Sequence, residues 1–332
     1  MKPSIHFFQR KRREGKNFSL EQIFEGLRTR ISDSFTVKLI TAPYISSGVI
    51  KRFLNTVLAV SKQGDVNHIT GDINYVNLLL NKKKNVLTIL DCGVLHSVGG
   101  IKKWIINHIW YKLPVKMSTV VTVISNATKD DLVLHTGCNP DKVKVIYVPI
   151  SDEFKPVTKQ FNSSNPRILQ IGAAPNKNLS RLIEAVTGLN CVLAIIGTIS
   201  EDNVKLLKEH NVAYENYVGI PFARIIEEYS KCDLLFFAST FEGFGMPILE
   251  AQATGRPVIT SNILSMPEVG GDAALYVDPY SISDIRNGID EIIQNESYRE
   301  RLIQLGLDNV KRFDPAVIAS QYIGVYNQLL QH

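Results

Sequence analysis

Glu242 and Glu250 bracket the segment Gly243-Phe244-Gly245-Met246-Pro247, with seven residues between them. Ionised carboxylates only accept hydrogen bonds, so such a pair is suited to holding hydroxyl groups. Two glycines let the backbone turn sharply and approach a ligand closely. Pro247 fits the first turn of a helix, where its missing N–H costs nothing. The N–H groups of a first turn have no partner within the helix and carry a partial positive charge. A phosphate or pyrophosphate can bind there. Amides for phosphates and carboxylates for hydroxyls together describe a site for a nucleotide sugar. The plainer reading is a capped surface helix in which Glu250 merely offsets the macrodipole.

The elements around this turn follow from the apolar pattern. Asp233–Ala238 is an apolar run of strand length. Ile248–Thr254 reads as a short helix stopped by Gly255, and Pro257–Thr260 as the next strand. The same plan occurs upstream. The strand Arg167–Ile171 opens onto Gly172-Ala173-Ala174-Pro175-Asn176-Lys177-Asn178 and then a helix, Leu179–Val186. Val192–Gly197 reads as a buried strand, Val218-Gly219 as the end of another, and Phe222–Lys231 as a helix. The N-terminal half alternates in the same way. Its strands are expected at Ser4–Phe8, Val37–Ile40, Val66–Ile69, Val86–Ile89, Ser118–Ile124 and Val143–Val148. Ser19 with Gln22 forms a capping-box pattern before a helix through Arg28, Ile50–Lys62 is an amphipathic helix, and a helix is expected to end over Leu78–Lys84. Alternating strands and helices argue for α/β architecture with parallel sheets.

The segment EGFGMPILEA, Glu242 to Ala251, resembles the E-x7-E motif of retaining glycosyltransferases of the GT-B fold, and glycosyltransferase family 4 (glycosyl transferases group 1) in particular. The likeness covers nearly the whole chain and is strongest over 167–279. It implies two Rossmann-like parallel-sheet domains facing across a cleft. These are an acceptor-side domain over 1–155, with a C-terminal helix at 316–332 packing back onto it, and a nucleotide-sugar domain over 160–315. By the same resemblance Glu242 contacts the donor sugar near the reacting centre and Lys177 grips the pyrophosphate. Gly15, Gly172, Asn178, Val218, Gly219, Phe244, Gly245, Met246, Pro247, Leu249 and Glu250 complete the donor site, with Glu250 on the ribose hydroxyls. Asp91 and His96 fall on the acceptor side. The chain departs from the family pattern where Leu90 replaces a histidine before Asp91, where Asn176 replaces an arginine before Lys177, and where Gly15 stands without a second glycine.

The reaction implied is retaining transfer of a sugar from a UDP- or GDP-linked donor to an acceptor hydroxyl, in surface polysaccharide or lipid-linked glycan synthesis. The chain has no Asp-x-Asp, so no metal and no cofactor is expected. It also lacks GxGxxG and GxxxxGK[ST], so neither a dinucleotide nor a P-loop reading gains support. Two alternatives remain: a nucleotide-sugar epimerase on the same fold, and a catalytically inactive GT-B scaffold subunit.

The 332 residues suggest two domains, and 45% hydrophobic with 21% charged residues is an ordinary globular composition. No apolar run reaches the ~18 residues of a membrane span. Four scattered cysteines without CxxC spacing read as reduced thiols, so a cytoplasmic location is expected. The charge is uneven. Residues 1–155 hold 23 basic and 12 acidic residues, net +11, and residues 156–332 hold 14 and 20, net −6. The basic half fits a polyanion, an anionic membrane surface at the inner face of the cell membrane, or simply a solvated face. No motif for specific nucleic-acid reading is present. Ile101–Leu113 (IKKWIINHIWYKL) puts Ile101, Trp104, Ile105 and Ile109 near one helical face. A core-facing helix is the plainer reading of that stripe, and a basic interfacial helix the other.

Overall fold

In the computed structural model, which describes residues 1–11 and 19–331, twelve strands form two parallel sheets of six. The chain divides into two units, Met1–Pro149 with Asp314–His332, and Ile150–Phe313.

In the first unit the strands are β1 (Ser4–Gln9), β2 (Thr36–Thr41), β3 (Val66–Ile69), β4 (Asn85–Ile89), β5 (Val120–Val123) and β6 (Val143–Val145). Their order across the sheet is β2-β1-β3-β4-β5-β6, with every pair parallel. β3, β4 and β5 are buried along their whole length, as expected where helices cover both faces of a parallel sheet. The order reverses between β1 and β3, and Arg10 Nη1 meets Asp72 Oδ2 at 2.9 Å just past the ends of those strands.

The last helix, Pro315–Leu330, belongs to this sheet and not to the unit that precedes it in the chain. Asp314 caps it by accepting from Ala316 N at 2.7 Å. Ile318, Tyr322, Val325 and Tyr326 bury one face against Ile5, Phe7 and Phe24. A polar chain runs through this apolar contact. The Tyr326 hydroxyl lies 2.7 Å from His68 Nδ1, His68 Nε2 lies 2.7 Å from Thr88 Oγ1, and Thr88 Oγ1 lies 2.6 Å from Thr122 Oγ1. Burial lowers the His68 pKa to about 3, so the ring stays neutral and shares its one proton with hydroxyl partners.

The second unit contains β7 (Arg167–Ile171), β8 (Val192–Ile196), β9 (Ala213–Tyr217), β10 (Leu234–Phe237), β11 (Val258–Ser261) and β12 (Leu275–Val277). The order is β12-β11-β10-β7-β8-β9, again all parallel. This is the doubly wound order, with its reversal between β10 and β7. β7 and β10 are the central pair and carry a core of Ile168, Leu234, Phe236 and Ala238 with helix residues Leu182 and Ile183.

Three local expectations are corrected. The helix expected to end over Leu78–Lys84 is two 3-10 helices, Asn74–Leu79 and Lys82–Lys84. Asn77 is fully buried there and donates to Pro114 O (2.8 Å) and Ser118 Oγ (2.6 Å), contacts that a regular helix would not align. The strand expected to end at Val218-Gly219 stops at Tyr217. The core-facing reading of the Ile101–Leu113 stripe fails along its whole length, since Ile105 and Ile109 are exposed as well as Ile101 and Trp104. Ile101 and Trp104 are 80% and 65% exposed. The α-helix Gly100–Ile106 passes into a π-helix, Asn107–Lys112, whose wider turn shifts the register. Trp110 and Tyr111 turn inward instead, Trp110 against Tyr75 (5.2 Å) and under Arg52 (4.7 Å).

Replacing Tyr326 by Phe leaves the buried His68 Nδ1 without its partner. Urea denaturation is expected to show a loss of about 1–3 kcal/mol, and a loss near zero would mean the polar chain does not hold the helix.

Candidate active site

Ligands of doubly wound sheets bind beyond the carboxyl ends of the strands where the order reverses. In the second unit those ends are the loops after β7 and β10. The loop after β7 is pinned from below. Gln170 Nε2 donates to Gly172 O at 3.1 Å and to Lys177 O at 2.9 Å, closing both ends of the loop onto the strand. Gly172 has φ +84°, and a Cβ there would come within 3.0 Å of Lys177 Cγ. The glycine thus leaves room for the lysine stem to lie across the turn. Asn178 is nearly fully buried at φ +62° and starts the helix Leu179–Ala185. Its Nδ2 donates to Ala238 O (3.0 Å) and Pro279 O (2.7 Å), and its Oδ1 accepts from Arg181 (2.8 Å).

The loop after β10 is held against the first one. Asn176 O accepts from Thr240 N at 2.9 Å, and Asn176 Nδ2 donates to Phe241 O at 2.9 Å and to Glu242 Oε1 at 3.3 Å. Lys177 Nζ then meets Glu242 Oε1 at 2.6 Å and stands 4.6 Å over the Phe237 ring. Both side chains are mostly buried, 21% and 16% exposed, yet open on one side. Ser265 Oγ lies 2.7 Å from Phe244 O and 3.2 Å from Glu242 O, bracing the turn from behind. Gly245, at φ +115°, precedes the helix Met246–Ala253, and a Cβ there would meet Ile248 Cδ1 at 3.1 Å. Pro247 supplies no N–H and Ile248 N donates to Gly245 O at 3.0 Å, so the first turn is tight.

Glu250 lies one turn further into that helix and is half-buried. The hydroxyl of the fully buried Tyr229 donates to its Oε2 at 2.5 Å. Burial pushes the Glu250 carboxyl up to about 7, while the Tyr229 hydrogen bond and the charge of Lys177 pull it partway back. A hydroxyl-rich ligand could supply further donors to this carboxylate.

The chain is also similar to known proteins. Residues 151–307 match the family model for glycosyl transferases group 1. This segment is a group 1 glycosyl transferase domain. A curated relative, O-antigen chain mannosyltransferase B of Escherichia coli, is 33% identical over 199 residues, 55% of this chain and 52% of that protein. The chain thus spans about half the length of that relative. Among solved structures, a glycosyltransferase from Rickettsia africae superposes with a TM-score of 0.78 at 17% identity, covering 100% of this chain and 99% of that one. Anabaena HepE, solved in complex with UDP and glucose, superposes with a TM-score of 0.78 at 16% identity, covering 98% and 100%. The two-sheet architecture is the GT-B fold.

Within the group 1 domain, Gly172, Lys177, Glu242, Gly245 and Glu250 gather at the strand-order reversal. Met246 and Pro247 are partly exposed, whereas Phe244 and Leu249 are buried in the core, so Leu249 presents no surface to a donor. Val218 is 57% exposed, and Gly219 has φ +67°. Gly197, which the sequence reading treated as a strand end, links them to the site. Its N donates to Tyr217 O at 2.8 Å, and a Cβ on it would lie 3.3 Å from Ala173 N. Gly15 lies outside the described residues. Asp91 and His96 belong to the other unit, where Asp91 Oδ1 accepts from Gly93 N at 2.8 Å and His96 Nε2 lies 2.8 Å from Asp131 Oδ2. Sequence reasoning missed Asn176, Tyr229 and Ser265. Asn176 was noted only as a missing arginine. Ser265-Met266-Pro267-Glu268 resembles the family pattern but gave Ser265 no role, and Tyr229 carries no local signal, because its partner is 21 residues away.

An unfolded chain ionises Glu250 near 4.5, and the folded one near 7. Between those values the folded state binds more protons, so stability falls as pH rises, and the penalty is complete above about 7. Glu250→Gln removes the charge and keeps an acceptor for Tyr229. It is expected to stabilise the protein by up to about 3 kcal/mol at pH 8 and by almost nothing at pH 4.5. Equal effects at both pH values in denaturant titrations would contradict the raised pKa.

Proposed function

We propose that the chain is a retaining, metal-independent glycosyltransferase. It moves a sugar from a nucleoside-diphosphate donor to an acceptor hydroxyl in surface polysaccharide or lipid-linked glycan synthesis. The observation that carries this reading is the meeting of Lys177 and Glu242 at 2.6 Å beside a helix N-terminus, with Glu250 one turn further on. In the reaction the bond between the anomeric carbon and the phosphate oxygen breaks. A bond to the acceptor oxygen forms, the acceptor proton leaves, and a nucleoside diphosphate is released. The leaving phosphate gathers negative charge, and stabilising such charge is usually the largest catalytic contribution. Lys177 and the amides before Pro247 supply that stabilisation without a metal. Glu242 is assigned to the sugar near the reacting carbon, and Glu250 to the ribose hydroxyls. Gly172, Gly219 and Gly245 let backbone approach the donor.

The relative's name supports a mannosyl donor and the UDP-bound HepE structure a uridine one. A panel of UDP-, GDP-, ADP- and dTDP-sugars decides between them, read by thermal shift and nucleotide release with and without chelator. Release that survives chelator is the expected result. Donor consumed without nucleotide release would favour the epimerase, and no turnover with any donor the inactive scaffold. Glu250→Ala is expected to weaken nucleotide binding roughly 10- to 100-fold. Lys177→Ala and Glu242→Gln are expected to lower turnover roughly 10²- to 10³-fold. Full activity in all three variants would overturn the assignment.

The first unit supports action at an anionic membrane surface. No helix among the described residues is long and apolar enough to cross a membrane. Val49, Ile50 and Phe53 are nevertheless 82%, 76% and 62% exposed on the helix Val49–Val60, beside Lys51 and Arg52. The stack of Arg52 on Trp110 joins this helix to the segment that exposes Ile101 and Trp104 next to Lys102 and Lys103. Apolar side chains flanked by cations suit an interface with anionic lipid. Cosedimentation with anionic vesicles at low salt is expected, with loss in the double variant Ile50→Asp, Trp104→Asp. Equal binding to neutral vesicles, or none to anionic ones, would contradict it.

A further inference from the structure

We infer that His96, Asp131 and His135 form a binding site for a divalent transition metal of the zinc class. The three side chains come from two elements that follow neighbouring strands of the first sheet. His96 is on the short helix Gly93–Ser97 after β4, and Asp131 and His135 are on the helix Asn126–Thr136 after β5. Asp131 and His135 are four residues apart and so share one helical face. Their ligand atoms and that of His96 all lie within 4.8 Å of one another. His96 Nε2 is 2.8 Å from Asp131 Oδ2, and His135 Nε2 is 3.2 Å from Asp131 Oδ1.

The His135 contact shows what the cluster is shaped for. His135 Nε2 is buried and makes no hydrogen bond, despite its 3.2 Å approach to the carboxylate. A buried ring nitrogen facing a carboxylate oxygen without hydrogen-bond geometry is costly unless a cation stands between them. Asn107 Nδ2, from the π-helical turn, donates to His135 O at 2.7 Å and fixes that end of the helix.

The distances fit a tetrahedral ion. With bonds of about 2.0–2.1 Å, neighbouring ligand atoms stand roughly 3.3 Å apart. The two contacts to Asp131 are already near that value, and the His96–His135 edge needs a side-chain movement of roughly 1–1.5 Å at most. Two imidazoles and one carboxylate select zinc, cobalt or nickel over magnesium or calcium, which prefer all-oxygen shells. His96 is 45% exposed, so the open side admits the ion and leaves a fourth position to solvent. The bound ion would staple a five-residue helix, too short to be stable alone, onto a longer one. That short helix begins two residues after Asp91, whose Oδ1 accepts from Gly93 N at 2.8 Å, so the metal would steady the Asp91 turn. The inference stands independently of the glycosyl-transfer reading.

The test uses the full chain, stripped with chelator and titrated with ZnCl2 at neutral pH by calorimetry and thermal melting. One saturable equivalent and a melting-point rise of roughly 2–4 °C are expected. Co2+ is expected to give tetrahedral visible absorption, and Mg2+ and Ca2+ no shift. His135→Gln and His96→Gln are each expected to weaken zinc binding at least roughly tenfold. His96→Gln, at an exposed position, keeps the test valid if the buried variant folds poorly. Absence of saturable zinc binding, or binding unchanged in the His96→Gln, Asp131→Asn double variant, would overturn the site.

Discussion

A lysine and a glutamate held 2.6 Å apart at a strand-order reversal are the constraint around which the second unit is arranged. Lys177 leaves the sheet after β7 and Glu242 after β10, and the two strands are hydrogen-bonded neighbours. Holding the pair requires both loops to have one conformation. Gln170 and Asn178 fix the first from the sheet side, and Asn176 and Ser265 fix the second. Each uses side-chain hydrogen bonds to backbone carbonyls, the economical way to satisfy irregular chain near a core. Both side chains are mostly buried, so the cost of taking the two charges out of water offsets much of their attraction and the pair contributes little net stability. Its value is positional, because it places opposite charges where an anion and hydroxyl groups can be met together.

Glu250 shows the cost of such placement. A carboxylate raised to about 7 is strained toward the neutral form, and Tyr229 offsets only part of that. Functional sites concentrate perturbed groups of this kind, whereas the core around them is conventional. The first unit places its buried polar groups differently. His68, Thr88 and Tyr326 are satisfied by one another, and they fasten the C-terminal helix to the sheet.

Much of this was legible beforehand. EGFGMPILEA identified the turn and both glutamates, strand–helix alternation identified parallel α/β architecture, and the family resemblance implied its division into two sheets. The local errors have local physical causes. The stripe of Ile101–Leu113 does form one helical face, but that face is exposed, and it is Trp110 and Tyr111 of the π-helical turn that pack inward. Asn176 looked like a missing cation, and is instead the clamp that holds the Glu242 loop.

The residue order alone determined the turn chemistry, the strands and the division into a basic and an acidic half, because those depend on near neighbours and on composition. Only the tertiary structure decided that Tyr229 reaches Glu250 and that His96 joins Asp131 and His135. It also decided that the last helix serves the first sheet. These contacts span from 21 to more than 200 residues of chain. They exist because parallel strands bring distant loops to one edge, a consequence of strand order that no local pattern encodes.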